Sequence, residues 1–244
     1  MSEAPEAFLQ SVRDGDKIEA VVACVGFDDL LEESLRHNLP HLDSLIVVTS
    51  PTDAKTVQVC RRFGAEVIQT DAFGPQFAKG GGLNVGLGYF KYRGWRMVLD
   101  ADILLPDNFR RILLNHTALD RNCLYGADRV DLVGREELDL LPASQPQWGL
   151  REEVFTGLPI RSRLVTRASG YLPLGYFQLW HATCQKPYPS SADGAGLDDV
   201  LFAQLWPATH RRLLPSVIVY HLCVNPPTLG ENWDGVRRHP RMKE

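Results

Sequence analysis

The sequence predicts one α/β domain built on a mostly parallel sheet with helices on both faces. Three observations carry that prediction. Short apolar runs recur at Ile18–Val25, Leu45–Val48, Ala65–Ile68 and Trp95–Leu99. Segments with helical spacing separate them. The runs are near-continuously apolar rather than alternating, as strands buried on both faces are.

Each element has its own signal. The run Ile18–Val25 stops at Gly26, and Leu30, Leu31 and Leu35 then give an apolar face to a helix over 28–37. The second strand, 45–48, closes at Thr49-Ser50-Pro51, and a helix from Asp53 to Phe63 follows. A third strand over 65–68 ends near Asp71. Residues 73–82 read as a loop because they hold Gly74, Pro75 and three successive glycines, with a helix expected over 83–91. The fourth strand delivers Asp100-Ala101-Asp102 at its C-terminal end. A helix over 106–118 and a strand over 124–126 come next. Further strands are expected over 176–180 and 216–220, with a helix over 197–205 between them. Residues 130–170 are mixed in polarity, carry Pro142, Pro146 and Pro159, and give no clear element; long connections of this type are often functional loops. No repeat or linker divides the chain. It reads as one domain over 1–244, with a polar N-terminal extension, 1–16, and a C-terminal tail or lid, 229–244.

Composition narrows the function. The net charge of -4 does not fit a general nucleic-acid binder, which has a basic balance. The five cysteines show no zinc or redox spacing and read as free thiols suited to a reducing cytosol. Residues 1–16 lack the apolar core of a signal peptide. No run approaches the ~20 apolar residues of a membrane span, so any membrane contact would be peripheral.

The chemistry-bearing residues cluster at predicted strand ends. Asp100 and Asp102, two apart at the end of a buried strand, can face one cleft. Side by side they repel, and a divalent cation with a diphosphate would resolve that repulsion. Ligands of parallel sheets bind at this edge. Lys79, the glycines Gly80–Gly82 and Asn84 form a phosphate-approach motif at a helix start, without the G-K-[ST] of a P-loop. His221 ends the last strand and offers an imidazole to a transition metal. Asp198 and Asp199 open a helix, which favours the ionised form a general base needs. They point about 100° apart, so one of them faces the site. Leu197, Val200, Leu201 and Leu205 define the expected core face of that helix. Trp180, His181 and Trp233 could stack on a sugar; Trp180 sits in an apolar run and reads as core, whereas Trp233 sits in a polar segment and reads as part of a lid.

The ordered set VVTS (47–50), TD (70–71), FAKGG (77–81), LDADILLP (99–106), LDDVLFAQLW (197–206), VIVYHL (217–222) and GENWDG (230–235) resembles bacterial and phage family 2-like glycosyltransferases of GT-A fold. The resemblance spans residues 18 to 237. It implies a Rossmann-like nucleotide-diphospho-sugar transferase that is Mn²⁺- or Mg²⁺-dependent and moves a sugar from a nucleotide donor to a glycan or other hydroxyl acceptor, with inversion. By that likeness Asp102 and His221 bind the metal, and Asp100 contacts the metal or the ribose. Lys79 touches the donor and Asp71 lies near the nucleoside. Asp199 is the preferred base, with Asp198 the alternative. Many relatives end the second strand with an aspartate that reads uracil; Thr49-Ser50 stand there instead, and UDP remains the expected nucleotide. Two other readings are a sugar-phosphate nucleotidyltransferase and a nucleotide- or glycan-binding domain without turnover. The first usually needs a glycine-rich basic loop after the first strand, where this chain has the acidic Gly26-Phe-Asp-Asp29.

Overall fold

A computed structural model describes residues 17–74, 77–115, 119–139, 166–167, 170–190, 195–223 and 231–236. The extension 1–16, the prolines Pro142, Pro146 and Pro159, and the basic tail beyond 236 lie outside the described residues.

The described elements are β1 (Ile18–Ala23), α1 (Asp28–Asn38), β2 (Ser44–Thr49), α2 (Ala54–Phe63), β3 (Glu66–Gln69), α3 (Lys79–Leu87), β4 (Trp95–Asp100), β5 (Ile103–Leu104), α4 (Phe109–Asn115), β6 (Leu124–Val133), α5 (Gly134–Asp139), β7 (Thr166–Arg167), β8 (Gly170–Tyr171), β9 (Phe177–His181), α6 (Ala195–Gln204) and β10 (Arg211–Cys223). Two short 3₁₀ turns and a small β7–β8 hairpin complete them. The main sheet has eight strands in the order β3-β2-β1-β4-β9-β6-β10-β5. Strands β3, β2, β1 and β4 run parallel. β9 runs antiparallel between β4 and β6, β10 pairs parallel with β6, and β5 closes the edge antiparallel to β10.

Strand alternation sorts side chains to two faces. Ile18, Ala20 and Val22 join Leu45, Val47, Met97 and Leu99 under α1, α2 and α4. Val21 and Ala23 join Ile46, Val48 and Val98 under α3 and α6. This three-layer packing explains why the strands read as continuous apolar runs. One polar residue inside β1, Glu19, is buried and accepts the backbone N–H groups of Lys91 and Tyr92 at 2.8 and 2.9 Å.

The glycine-rich segment differs from expectation. Lys79–Leu87 is helix α3, so the glycines lie inside the element and not in a loop before it. Their smallness serves packing. A Cβ on Gly80 would lie 1.7 Å from the Pro189 carbonyl oxygen, and one on Gly86 would lie 2.4 Å from the Val21 side chain. The backbone of α3 therefore sits directly on the sheet. Glycine's poor helix propensity, about 1 kcal/mol per residue, hides the start of this helix, expected only from 83, from a local reading.

The core face of α6 also differs. Leu197 and Leu205 are 44% and 40% exposed, while Asp198, Phe202, Ala203 and Trp206 are buried. Phe202 enters an aromatic cluster with Tyr188, Trp180 and Trp206, which rotates the helix away from its leucines. The unread stretch after 130 begins as regular structure, since β6 runs to Val133 and α5 follows.

Candidate functional site

The parallel order 3-2-1-4 places the ends of β1 and β4 side by side, with Ala23 in register with Asp100. Ligands of open α/β sheets bind at such an edge. The candidate site is built here from β4, the turn to β5, β10, α3 and α6.

Asp102 and His221 come together across the β5–β10 pairing. Ile103 is in register with His221, and the Leu222 N–H donates to the Asp102 carbonyl at 2.8 Å. His221 Nε2 lies 3.5 Å from Asp102 Oδ2, and both side chains are largely buried. A six-coordinate divalent cation holding one oxygen and one nitrogen in adjacent positions, at about 2.1 Å each and about 90°, separates them by about 3.0 Å. The carboxylate and imidazole fit such a cation in ligand type and reach that spacing with about 0.5 Å of side-chain approach. Burial opposes charge on His221, but Asp102, then Asp131 and Cys223, outweigh it and hold the imidazole well above its ordinary range. Without a cation the proton does the cation's electrostatic work.

Asp100 is drawn elsewhere. Its Oδ1 accepts from Lys79 Nζ at 2.6 Å. Among the described residues the convergent triad of possible metal-ligand atoms is Asp131, His221 and Cys223, not Asp100, Asp102 and His221. The expectation that Asp100 shares the ion is thus replaced by an ion pair with Lys79. That lysine is buried at the start of α3, and its ammonium also donates to the Gly175 carbonyl at 3.3 Å and reaches Asp199 Oδ1 at 3.5 Å.

The two aspartates of α6 have separate tasks. Asp198 is fully buried and accepts the Gly80 N–H at 3.0 Å. Its carboxylate occupies the anion-favouring start of α3, which removes Asp198 as the alternative base. The same contact corrects the phosphate-approach reading of Gly80–Gly82, because the chain's own carboxylate already sits at that helix end. Asp199 lies beside Lys79 and accepts the Tyr188 hydroxyl at 2.7 Å. Burial, reinforced by Asp100 and opposed by Lys79, raises its carboxyl above the usual range. Burial first, then the Asp199 charge, pushes the Tyr188 hydroxyl far above its ordinary range, so it stays a donor. Gly175 has to be glycine: a Cβ would sit 1.9 Å from the Asp199 carboxylate.

Other expected residues have structural tasks. Asn84 donates to the Tyr188 carbonyl at 2.7 Å and accepts its N–H at 2.8 Å, so its amide positions Tyr188 and does not meet a donor directly. Thr49, expected beside the donor, is fully buried and donates to Asp53 Oδ2 at 3.1 Å. Asp71 is exposed in the turn after β3. Trp233 donates its indole N–H to the Cys223 carbonyl at 3.1 Å and lies under the Arg135 guanidinium at 4.5 Å. Asn232 beside it donates to the Gly26 carbonyl at 3.0 Å, tying this segment to the end of β1. Trp180 is core, as its apolar run implies. His181 pairs with Trp95 at the opposite end of β4, away from the site, and burial lowers it to about 4.

Sequence reasoning missed four residues. Asp53 caps α2 through Thr56 and also accepts the Gly26 N–H at 2.7 Å, joining the β1 loop to the end of β2; Asp followed by Thr at the third helical position was the available signal. Gln178 is fully buried, shares the Tyr188 hydroxyl proton with Asp199 and donates to the Asp199 carbonyl, and a glutamine inside an apolar strand was its signal. Tyr188 and Asp131 had none. None of the five cysteines forms a disulfide, and Cys184 alone of them is partly exposed. Among the described residues no helix is long and apolar enough to cross a membrane.

Comparison with known proteins yields no matching family model and no matching curated protein. Solved structures do match. Glucosyl-3-phosphoglycerate synthase from Mycobacterium tuberculosis, in complex with Mn²⁺, UDP and phosphoglyceric acid, aligns over 88% of this chain and 74% of its own at 19% identity and a TM-score of 0.51. The same enzyme with Mn²⁺, UDP-glucose and phosphoglyceric acid aligns over 91% and 77% at 18% identity and a TM-score of 0.50. The fold is therefore the GT-A arrangement of nucleotide-sugar transferases.

Proposed function

We propose that this chain is a metal-dependent glycosyltransferase that moves a sugar from a nucleoside-diphosphate donor, UDP-linked, to an acceptor hydroxyl with inversion. The observation that carries the reading is the Asp102–His221 pair, 3.5 Å apart at the sheet edge and contributed by segments far apart in sequence. These two residues would hold Mn²⁺ or Mg²⁺. A cation there supplies Lewis-acid stabilisation of charge developing on a leaving diphosphate.

The chain's own groups do the rest. Lys79, buried against Asp100, sets a fixed positive charge beside the donor position. Asp199 takes the acceptor hydroxyl proton; its raised carboxyl is better matched to that transfer than an ordinary aspartate. Tyr188 and Lys79 hold its Oδ1 and so orient the carboxylate. Trp233, fixed between Cys223 and Arg135, walls the site on the β10 side. Asp71 is assigned to the nucleoside, and Thr49 contributes only through Asp53. Five cysteines without a disulfide support a reducing compartment, which we take to be the cytosol.

The matched solved structures hold UDP or UDP-glucose, Mn²⁺ and phosphoglyceric acid. That supports UDP as donor nucleotide and makes phosphoglyceric acid the first acceptor to try. The test is a screen of nucleotide sugars for Mn²⁺-dependent release of free nucleotide, with and without acceptor. Asp102→Asn is expected to abolish metal-dependent turnover; unchanged turnover would remove the metal assignment. Nucleotide binding with no release for any donor would support the binding-domain reading instead.

A further inference from the structure

His221 has two ring nitrogens and faces carboxylates from both. Nε2 looks at Asp102 across 3.5 Å, and Nδ1 lies 3.0 Å from Asp131 Oδ1. The second contact is set by the sheet, because Asp131 and His221 are register partners on β6 and β10. Side chains of register partners share a face. A third group, the Cys223 thiol, lies 2.9 Å from the same Nδ1 and stands two residues along the same strand.

A neutral imidazole carries one proton. A cation on Nε2 requires that proton on Nδ1, so Nδ1 must donate. An ionised carboxylate only accepts and favours that arrangement. A thiol that donates to Nδ1 enforces the opposite one, with a proton on Nε2 aimed at Asp102 where the metal should be. Asp131 and Cys223 therefore pull the ring towards different tautomers. Arg129 favours the first: its permanently charged guanidinium lies 3.1 Å from the same Asp131 oxygen, an ion pair without hydrogen-bond geometry at Nε that favours the ionised, acceptor-only carboxylate.

We propose that Asp131 is a positioning residue that fixes His221 as its Nδ1–H tautomer and so turns the Nε2 lone pair towards the Asp102 metal position, with Arg129 holding Asp131 and Cys223 competing against it. This rests on Asp102 and His221 being the metal pair. Outer partners of this kind, a carboxylate behind a ligating histidine, change metal affinity by about 10–100-fold when removed.

The test measures metal binding, not turnover. Mn²⁺ titrated into the wild-type protein by calorimetry is expected to bind, with Asp131→Asn weakening the affinity about 10–100-fold. The asparagine amide can donate to Nδ1 and lock the wrong tautomer. Asp131→Glu should recover part of the loss, and Cys223→Ala should keep or raise the wild-type affinity. Equal Mn²⁺ affinity in wild type and Asp131→Asn overturns the proposal and leaves the metal pair intact. No binding to wild type overturns the metal pair and this inference with it. Circular dichroism checks that the variants fold. Should Asp131→Asn not fold, Asp131→Ser takes its place in the titration, with the same expected weakening and with equal Mn²⁺ affinity overturning the proposal.

Discussion

Lys79→Met tests the electrostatic frame of the site most directly. Methionine keeps the unbranched apolar stem of the lysine, one atom shorter, and deletes its charge. In the wild type that charge lies 2.6 Å from Asp100 and 3.5 Å from Asp199, and the three side chains are 4%, 16% and 17% exposed. At an effective dielectric of about 20, the two attractions are each of order 5 kcal/mol before desolvation is subtracted. Removing one partner of a buried pair costs about 3–5 kcal/mol. The carboxylates here keep some access to solvent, so the expected loss at pH 7 is about 2–4 kcal/mol. For a chain of this size that lowers Tm by roughly 5–15 °C.

The pH dependence separates this account from simple mispacking. Lys79 is a group that opposes the upward shift of Asp199. Without it the folded carboxyl rises further above its unfolded value. An acid with a raised folded pKa contributes stability below its unfolded pKa and loses that contribution as pH climbs through the folded value. The Lys79→Met penalty should therefore shrink as pH falls from 7 towards 5. Denaturant unfolding of both proteins at several pH values measures it. A penalty independent of pH would refute the electrostatic argument and leave a packing defect as its cause.

Three further outcomes follow from the geometry. Asp199→Asn is expected to lower kcat by about 10²–10⁴-fold, as loss of a general base does, with nucleotide affinity little changed; in the wild type the acid limb of the rate profile should lie above the usual carboxylate range because burial raises Asp199. Mn²⁺ affinity should strengthen as pH rises and weaken on acidification, because the raised His221 imidazole must shed its proton to bind; calorimetry across pH reads this, and a flat profile would contradict it. Gly86→Ala, whose Cβ would meet the Val21 and Val48 side chains at 2.4 and 2.7 Å, should cost about 1–3 kcal/mol by overpacking, whereas an alanine in an open helix would stabilise; thermal unfolding distinguishes the two.

What could be read from sequence, and what could not, follows from the range of the interactions involved. The parallel strands were legible because burial on both faces writes a local signature, as in Ile18–Ala23 and Leu45–Val48. The meeting of Asp102 and His221 at one sheet edge was legible because both stand at the ends of expected strands. The first turn of helix α3 was not, because its glycines answer to Pro189, Ala72 and Phe73, all remote or unmarked in the local pattern. The face of α6 was misread for the same reason: four leucine and valine positions gave a clean stripe, but the Tyr188–Trp180–Trp206 pocket and the Gly80 N–H decide the rotation. Asp131 lies at the start of the segment that gave no pattern, and only its register with His221 gives it meaning.

That register bears on how the site can work. β5 is two residues long, yet it pairs Ile103 with His221 and lets the Asp102 carbonyl accept from Leu222. Asp102 is thus held by sheet hydrogen bonds on one side of β10, and Asp131 by parallel pairing on the other. His221 sits between two carboxylates whose positions are both set by backbone pairing and not by loops. A cation arriving at Asp102 and His221 would need no segment to order first, so little of its binding energy would be consumed in ordering. If the short β5 pairing performs this task, a proline at Leu222, which deletes the N–H donated to Asp102, should weaken Mn²⁺ binding while leaving both ligands in the sequence. Retention of full affinity in a folded Leu222→Pro protein would show that the two ligands find each other without the strand.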